Sequence, residues 1–129
     1  MTLIEIKRVY EPPDIKDGKR LLIDRMWPRG LSRDAAKLDA WLKEVAPSDG
    51  LRRWFHHDPK RWREFRRRYL EELADCDALL ELQRALESVP KATLLFAAKD
   101  LARNNAVVLQ EELARRLAGR EPPEHAGSR

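Results

Sequence analysis

The run Ala92-Thr93-Leu94-Leu95-Phe96-Ala97 crosses six residues without a charge and follows Pro90. A strand this uniformly apolar has no face to give to water, so it must be covered on both sides, as in the parallel sheet of an α/β domain. It is the expected central strand. Two shorter runs are its expected neighbours: Leu3-Ile4-Glu5-Ile6-Lys7, which alternates, and Leu21-Leu22-Ile23-Asp24, which is more evenly apolar. Between them, Glu11-Pro12-Pro13-Asp14 and Asp17-Gly18 are turn chemistry. That connection is about as short as a parallel crossover allows, and it leaves the direction of the first strand relative to the second open.

The helical signals follow. Ser32 reads as an N-cap, and Ala35, Leu38, Trp41, Leu42 and Val45 recur at helical spacing up to Pro47, predicting one helix there. Ser48 caps a short helix carrying Leu51, Trp54 and Phe55. Asp58-Pro59 places a capping residue before proline and opens a stripe of Trp62, Phe65, Tyr69, Leu73, Cys76 and Leu80. The acidic cluster at Asp75–Asp77 has low helix propensity and marks a point where this stretch divides into two helices. Ala106, Leu109, Leu113 and Leu117, broadened by Val107 and Val108, predict a last helix.

With 129 residues, 43% of them hydrophobic, the chain supports one core. A single domain over residues 1–118 is expected, with a flexible tail over 119–129, where prolines and glycines replace any apolar period. No apolar run approaches the 18 residues of a membrane span, and the first five residues lack the basic and apolar regions of a signal peptide. The lone Cys76 excludes an internal disulfide and a thiolate zinc site. A cytoplasmic protein without membrane attachment is the expectation.

Asp24-Arg25-Met26-Trp27-Pro28-Arg29-Gly30-Leu31-Ser32 leaves a strand, turns and enters a helix, where open α/β sheets place ligand-binding groups. Arg25 and Arg29 offer planar forks to phosphate or carboxylate, and Trp27 offers a stacking face. Asp24 is the candidate general base or orienting carboxylate. In the plainer reading the segment is a turn and Trp27 plugs the core edge. Lys99 and Asp100 follow the central strand, with Asn104 and Asn105 opening the last helix. Lys99 would hold an anion or act as an amine nucleophile, whereas capping alone explains Asp100 or Asn104. Arg8 and Tyr10, after the first strand, join the set if all three strands run parallel. These groups predict a pocket for a small anionic ligand, with a nucleotide-like molecule one candidate; they specify no cofactor and no reaction.

The formal net charge is +4, but residues 51–70 carry eight basic and two acidic residues, and residues 71–90 six acidic and one basic. Arg52, Arg53, Arg61, Arg63, Arg66 and Arg67 form a basic surface that suggests nucleic acid or an acidic protein partner. Two features disfavour nucleic acid. Trp62, Phe65 and Tyr69 fall on one inward helix face, and Glu64–Arg68 and Arg68–Glu72 stand at ion-pair spacing. A third reading, an adaptor or homodimer pairing basic and acidic helix halves, stays open. His56-His57-Asp58 lacks complementary ligands for a metal; His57 is a candidate acid or base, Cys76 an inert core thiol, and His125 lies in the tail.

The motifs Lys7-Arg8-Val9-Tyr10-Glu11-Pro12, Leu22-Ile23-Asp24-Arg25-Met26-Trp27-Pro28-Arg29-Gly30 and Thr93-Leu94-Leu95-Phe96-Ala97-Ala98-Lys99-Asp100 resemble the YeaO-like branch of the domain-of-unknown-function family 488. The likeness extends through Pro47-Ser48 and Leu51-Arg52 to Asn104-Asn105-Ala106-Val107-Val108-Leu109, about residues 4–117. It implies a small three-layer, Rossmann-like α/β domain with a short, mostly parallel sheet and several helices, and no settled reaction. In the family the position of Asn105 is usually histidine. Asparagine hydrogen-bonds but does not titrate near neutrality, so a proton-transfer role there would be lost in this chain.

Overall fold

Four strands, β1 (Leu3–Arg8), β2 (Lys19–Leu22), β3 (Ala40–Trp41) and β4 (Lys91–Phe96), pair in the order β1-β4-β2-β3, and every pairing is parallel. The computed structural model describes residues 2–120. The apolar run is an interior strand: Leu94 and Leu95 are fully buried and Phe96 is 1% exposed. The open question of direction is answered by β4, which lies between β1 and β2, so the short connection crosses over it. A 3-10 turn at Ile15–Asp17, rather than a helix, makes that crossing.

Alternation along the strands divides the core. Ile4, Leu21, Ile23, Leu94 and Phe96 face one side, packed with α2 (Asp49–Phe55), α3 (Trp62–Ala74), α4 (Asp77–Leu86) and α5 (Asn105–Arg120). Leu22 and Leu95 face the other, where Val9, Trp27, Leu31, Leu38 and Trp41 form a smaller cover. The layers are unequal.

The helix expected from Ser32 to Pro47 does not form. Ser32 caps as expected, its hydroxyl accepting from Ala35 N at 3.0 Å, but α1 covers only Arg33–Ala36. Lys37 turns left-handed (φ 46°), and the chain re-enters the sheet as β3 before a 3-10 turn at Lys43–Val45. Edge pairing wins because Leu42 N bonds Leu22 O at 2.8 Å, and both tryptophans then meet edge to face at 5.3 Å. Helical spacing of Leu38, Trp41 and Val45 was coincident with a strand and a turn that bury the same residues.

Elsewhere the helix signals hold. Ser48 caps α2, accepting from Leu51 N at 3.2 Å, and Phe65, Tyr69 and Leu73 are buried on α3. The expected break falls at Asp75–Cys76 and restarts the register, so α4 buries Leu79, Leu82 and Leu86 and leaves Leu80 exposed instead of continuing the stripe. Cys76 is half-buried at the core margin, its Sγ 3.4 Å from Glu44 O. α5 runs to Arg120, and from residue 121 on the tail with His125 lies outside the described residues. Among the described residues no helix is long and apolar enough to cross a membrane.

Candidate functional site

Because all strands are parallel, their carboxyl ends deliver Tyr10, the Asp24–Arg29 turn and the Ala97–Asp100 loop to one end of the sheet. These segments wall a cavity of about 760 Å³. Nine of the ten residues assigned to the pocket line it: Tyr10, Asp24, Arg25, Trp27, Arg29, Lys99, Asp100, Asn104 and Asn105. Arg8 is the exception. Its guanidinium donates to Ala97 O and Ala98 O, both at 2.9 Å, and lies 5.0 Å over the Tyr10 ring, so it braces the β4 loop from outside.

Asp24 knots the site together. Its Oδ2 accepts from Ala97 N at 2.9 Å and its Oδ1 from Asn105 Nδ2 at 3.0 Å, while Nδ2 also donates to Ile23 O at 3.0 Å. One carboxylate thereby joins the ends of β2 and β4 to the start of α5. Burial pushes the Asp24 carboxyl above the ordinary carboxylate range, against the Asn105 and Ala97 hydrogen bonds and the field of His57.

Other groups carry structural duties as well. Arg25 Nε donates to Pro47 O at 3.0 Å and Nη2 to Ala46 O at 3.5 Å, tying the turn to the segment before α2. Trp27 donates to Leu31 O at 2.6 Å and is covered by Arg33 at 4.4 Å, so the core-edge role exists alongside its place in the wall. Asn104 is the cap of α5, accepting from Val107 N at 3.0 Å, and Asp100 accepts from Ala102 N and Arg103 N. Those bonds hold the Asp100 carboxyl below its usual range. Lys99 is exposed and has no hydrogen bond or ion pair among the described residues.

Residues that were placed elsewhere by the sequence also arrive. Arg52 and Arg53, expected on the basic surface, line the cavity, as do His56 and His57. Both histidines adopt left-handed backbone (φ 43° and 54°), turning the chain at the end of α2 so that it closes this wall. Arg52 Nη2 is held by Asp49 at 2.5 Å, but its buried Nε has no hydrogen-bond partner. The only advance signal was the Ser48 cap, which fixes where α2 starts but not what it faces.

The remaining arginines are largely engaged. Arg66 pairs with Glu111 at 2.7 Å, Arg68 with Glu64 at 2.8 Å, Arg67 with Glu64 and Glu71, and Arg61 with Asp58 at 3.7 Å. Hydrogen bonds from Arg67 and Arg68 push Glu64 down to about 2. The expected Arg68–Glu72 pair is absent, since Glu72 accepts instead from Ser48 N at 2.8 Å and Ser48 Oγ at 2.6 Å. No group of three or more metal-ligating side chains occurs among the described residues.

Fold and site thus define a small all-parallel α/β domain with a cation-rich cavity at the carboxyl ends of its strands. The chain belongs to the inactive DUF488-N3 subclade, whose family model matches residues 3–128. Uncharacterised proteins of Mycobacterium tuberculosis and Mycobacterium bovis are each 46% identical to it over 112 residues, covering 87% of this chain and 94% of the relative. The uncharacterised protein YeaO of Escherichia coli is 40% identical over 110 residues, covering 85% and 96%. No solved structure matches the chain.

Proposed function

We propose that this domain binds a small anionic ligand, bearing phosphate or carboxylate, in the cavity at the strand ends. The observation that carries the reading is the charge of the lining: Arg25, Arg29, Arg52, Arg53 and Lys99 stand against two carboxylates, Asp24 and Asp100. A concave site with cationic walls concentrates anions, and arginine forks fit phosphate and carboxylate oxygens. The volume lies in the range of sites that take small molecules, and the carboxyl ends of parallel strands are where Rossmann-like domains hold theirs. The unpartnered Arg52 Nε adds a buried N–H that a ligand oxygen would satisfy.

The reading is of binding without turnover. Asn105 occupies the position beside Asp24 with an amide that cannot shuttle a proton near neutral pH, and the family description names an inactive subclade. Arg61, Arg66, Arg67 and Arg68 of the helix surface are engaged in ion pairs, and Arg52 and Arg53 share Asp49, whereas Arg25, Arg29 and Lys99 of the cavity have no carboxylate partner among the described residues, which favours the cavity over the helix surface.

A thermal-shift screen of phosphorylated metabolites, nucleotides and nucleobases tests this. A ligand at a hundredfold excess over its Kd stabilises the folded state by about 2.7 kcal/mol, a rise of several degrees in a domain of this size. The best ligand is expected to carry phosphate or carboxylate, and Lys99→Ala is expected to weaken it about tenfold with an unchanged melting temperature in the absence of ligand. Lys99 is the variant of choice because Arg25 also holds the Ala46 and Pro47 carbonyls. An uncharged best ligand, or affinity undiminished in Lys99→Ala, would defeat the reading.

A further inference from the structure

We propose that the anion held here is a nucleoside monophosphate whose base is of the guanine type, read by Asp24 and Asn105. This rests on the anion-binding reading above and adds what the other end of the ligand must be. Both hydrogens of Asn105 Nδ2 are committed, to Ile23 O and to Asp24 Oδ1. Because the Ile23 carbonyl can only accept, the amide orientation is fixed, and Oδ1 is left as an acceptor with no donor among the described residues. Asp24 has about four lone-pair sites and receives two protein hydrogen bonds, from Ala97 N and Asn105 Nδ2, so further acceptor capacity remains.

The Asp24–Asn105 part of the wall therefore offers unused acceptors, while the cationic part offers donors. A phosphate fits the second and is repelled by the first. The matching ligand is bipolar, an anion at one end and an array of N–H donors at the other. A guanine edge places a ring N–H beside an exocyclic amine, and a carboxylate accepts both side by side. Adenine puts a ring lone pair at the equivalent place, against the lone pairs of Asp24. A zwitterionic amino acid, the smaller bipolar alternative, would leave most of the 760 Å³ unfilled.

Calorimetric titration of the intact chain with GMP, IMP, AMP, guanosine and inorganic phosphate at neutral pH tests the assignment. GMP is expected to bind at least about tenfold more tightly than AMP, and more tightly than guanosine or phosphate, with IMP, which keeps the ring N–H and lacks the amine, in between. Asp24→Asn, which exchanges an acceptor for a donor, is expected to bring the GMP-to-AMP ratio to near one while AMP still binds. The wild-type series needs no variant, so a misfolded Asp24→Asn protein leaves the test intact. A GMP-to-AMP ratio under tenfold, with GMP still binding more tightly than guanosine, overturns the base assignment and leaves anion binding standing. Failure of every phosphate-bearing probe to bind overturns the nucleotide assignment, and an uncharged best ligand in the thermal-shift screen overturns anion binding with it.

Discussion

Gly18→Ala is expected to cost about 3–5 kcal/mol of stability, measured by chemical denaturation at neutral pH. Gly18 closes the 3-10 turn that leads into β2 with φ 65° and ψ −136°, a region that L-residues seldom enter, and a Cβ there would lie 2.3 Å from Lys91 O and 2.8 Å from Lys91 C. Those atoms are backbone at the first residue of β4, the strand that pairs with both β1 and β2, so they cannot rotate aside. Backbone strain of roughly 1–3 kcal/mol adds to an overpacking cost of similar size. Against a total stability of about 5–15 kcal/mol, that is a large fraction. Gly30→Ala separates the two contributions: Gly30 has φ 76° but nothing within 4 Å of the added carbon, so only a left-handed backbone cost of about 1–2 kcal/mol is expected. Equal losses in the two variants would show that the approach of Gly18 to Lys91 is not what limits the fold.

Arg20→Ala is expected to cost about 3 kcal/mol and lower the melting temperature by roughly 10 °C. Arg20 is 5% exposed, and its guanidinium binds Asp17 at 2.5 Å, Ala36 O at 2.7 Å and Lys37 O at 3.1 Å. Removing it strands a buried carboxylate and the carbonyls that end α1; Lys7, at 3.1 Å from Asp17, keeps the loss from being larger. The variant carries a pH signature. Burial of Asp17 works to raise its pKa, but the Asp14 amide, Lys7 and Arg20 together outweigh it and hold the carboxyl below its usual 3.8. A carboxylate depressed in the folded state contributes stability that is complete above its unfolded pKa and is lost as pH falls through the folded one. Wild-type protein should therefore lose stability in acid from just above pH 3.8 downward, and Arg20→Ala should show a shallower acid limb. Parallel limbs in the two proteins would mean that Arg20 does not set the Asp17 equilibrium.

Both residues lie where sequence reading had little to offer. Asp17-Gly18 is recognisable as turn chemistry, but nothing local says that Asp17 receives an arginine and a lysine, or that Lys91 comes to rest against Gly18. The segment Ser32–Pro47 shows the same limit from the other side. Its cap at Ser32 was visible, yet Trp41 and Leu42 joined the edge of β2 because a partner strand was there to receive them. Periodicity over a dozen residues cannot distinguish a helix from a strand and a turn that bury the same side chains. The candidate site was more open to reading, since Asp24, Arg25, Lys99 and Asp100 all follow strands directly and share one end of the sheet once the strands are parallel.

The sequence by itself determined the local matters: an uncharged run that had to be an interior strand, the caps at Ser32, Ser48 and Asp58, the helix break near Cys76, and the inward face of Phe65, Tyr69 and Leu73. Each follows from contacts or solvation within a few residues, which composition and spacing encode directly. Tertiary structure alone decided the strand order, the diversion of the β2–α2 segment into an edge strand, and the placing of the α2 residues Arg52 and Arg53 at the wall of the Asp24 cavity. These depend on which elements compete for the same partner across dozens of residues. That competition is settled by burial and by pairing of backbone groups over the whole chain, and no short window of sequence contains it.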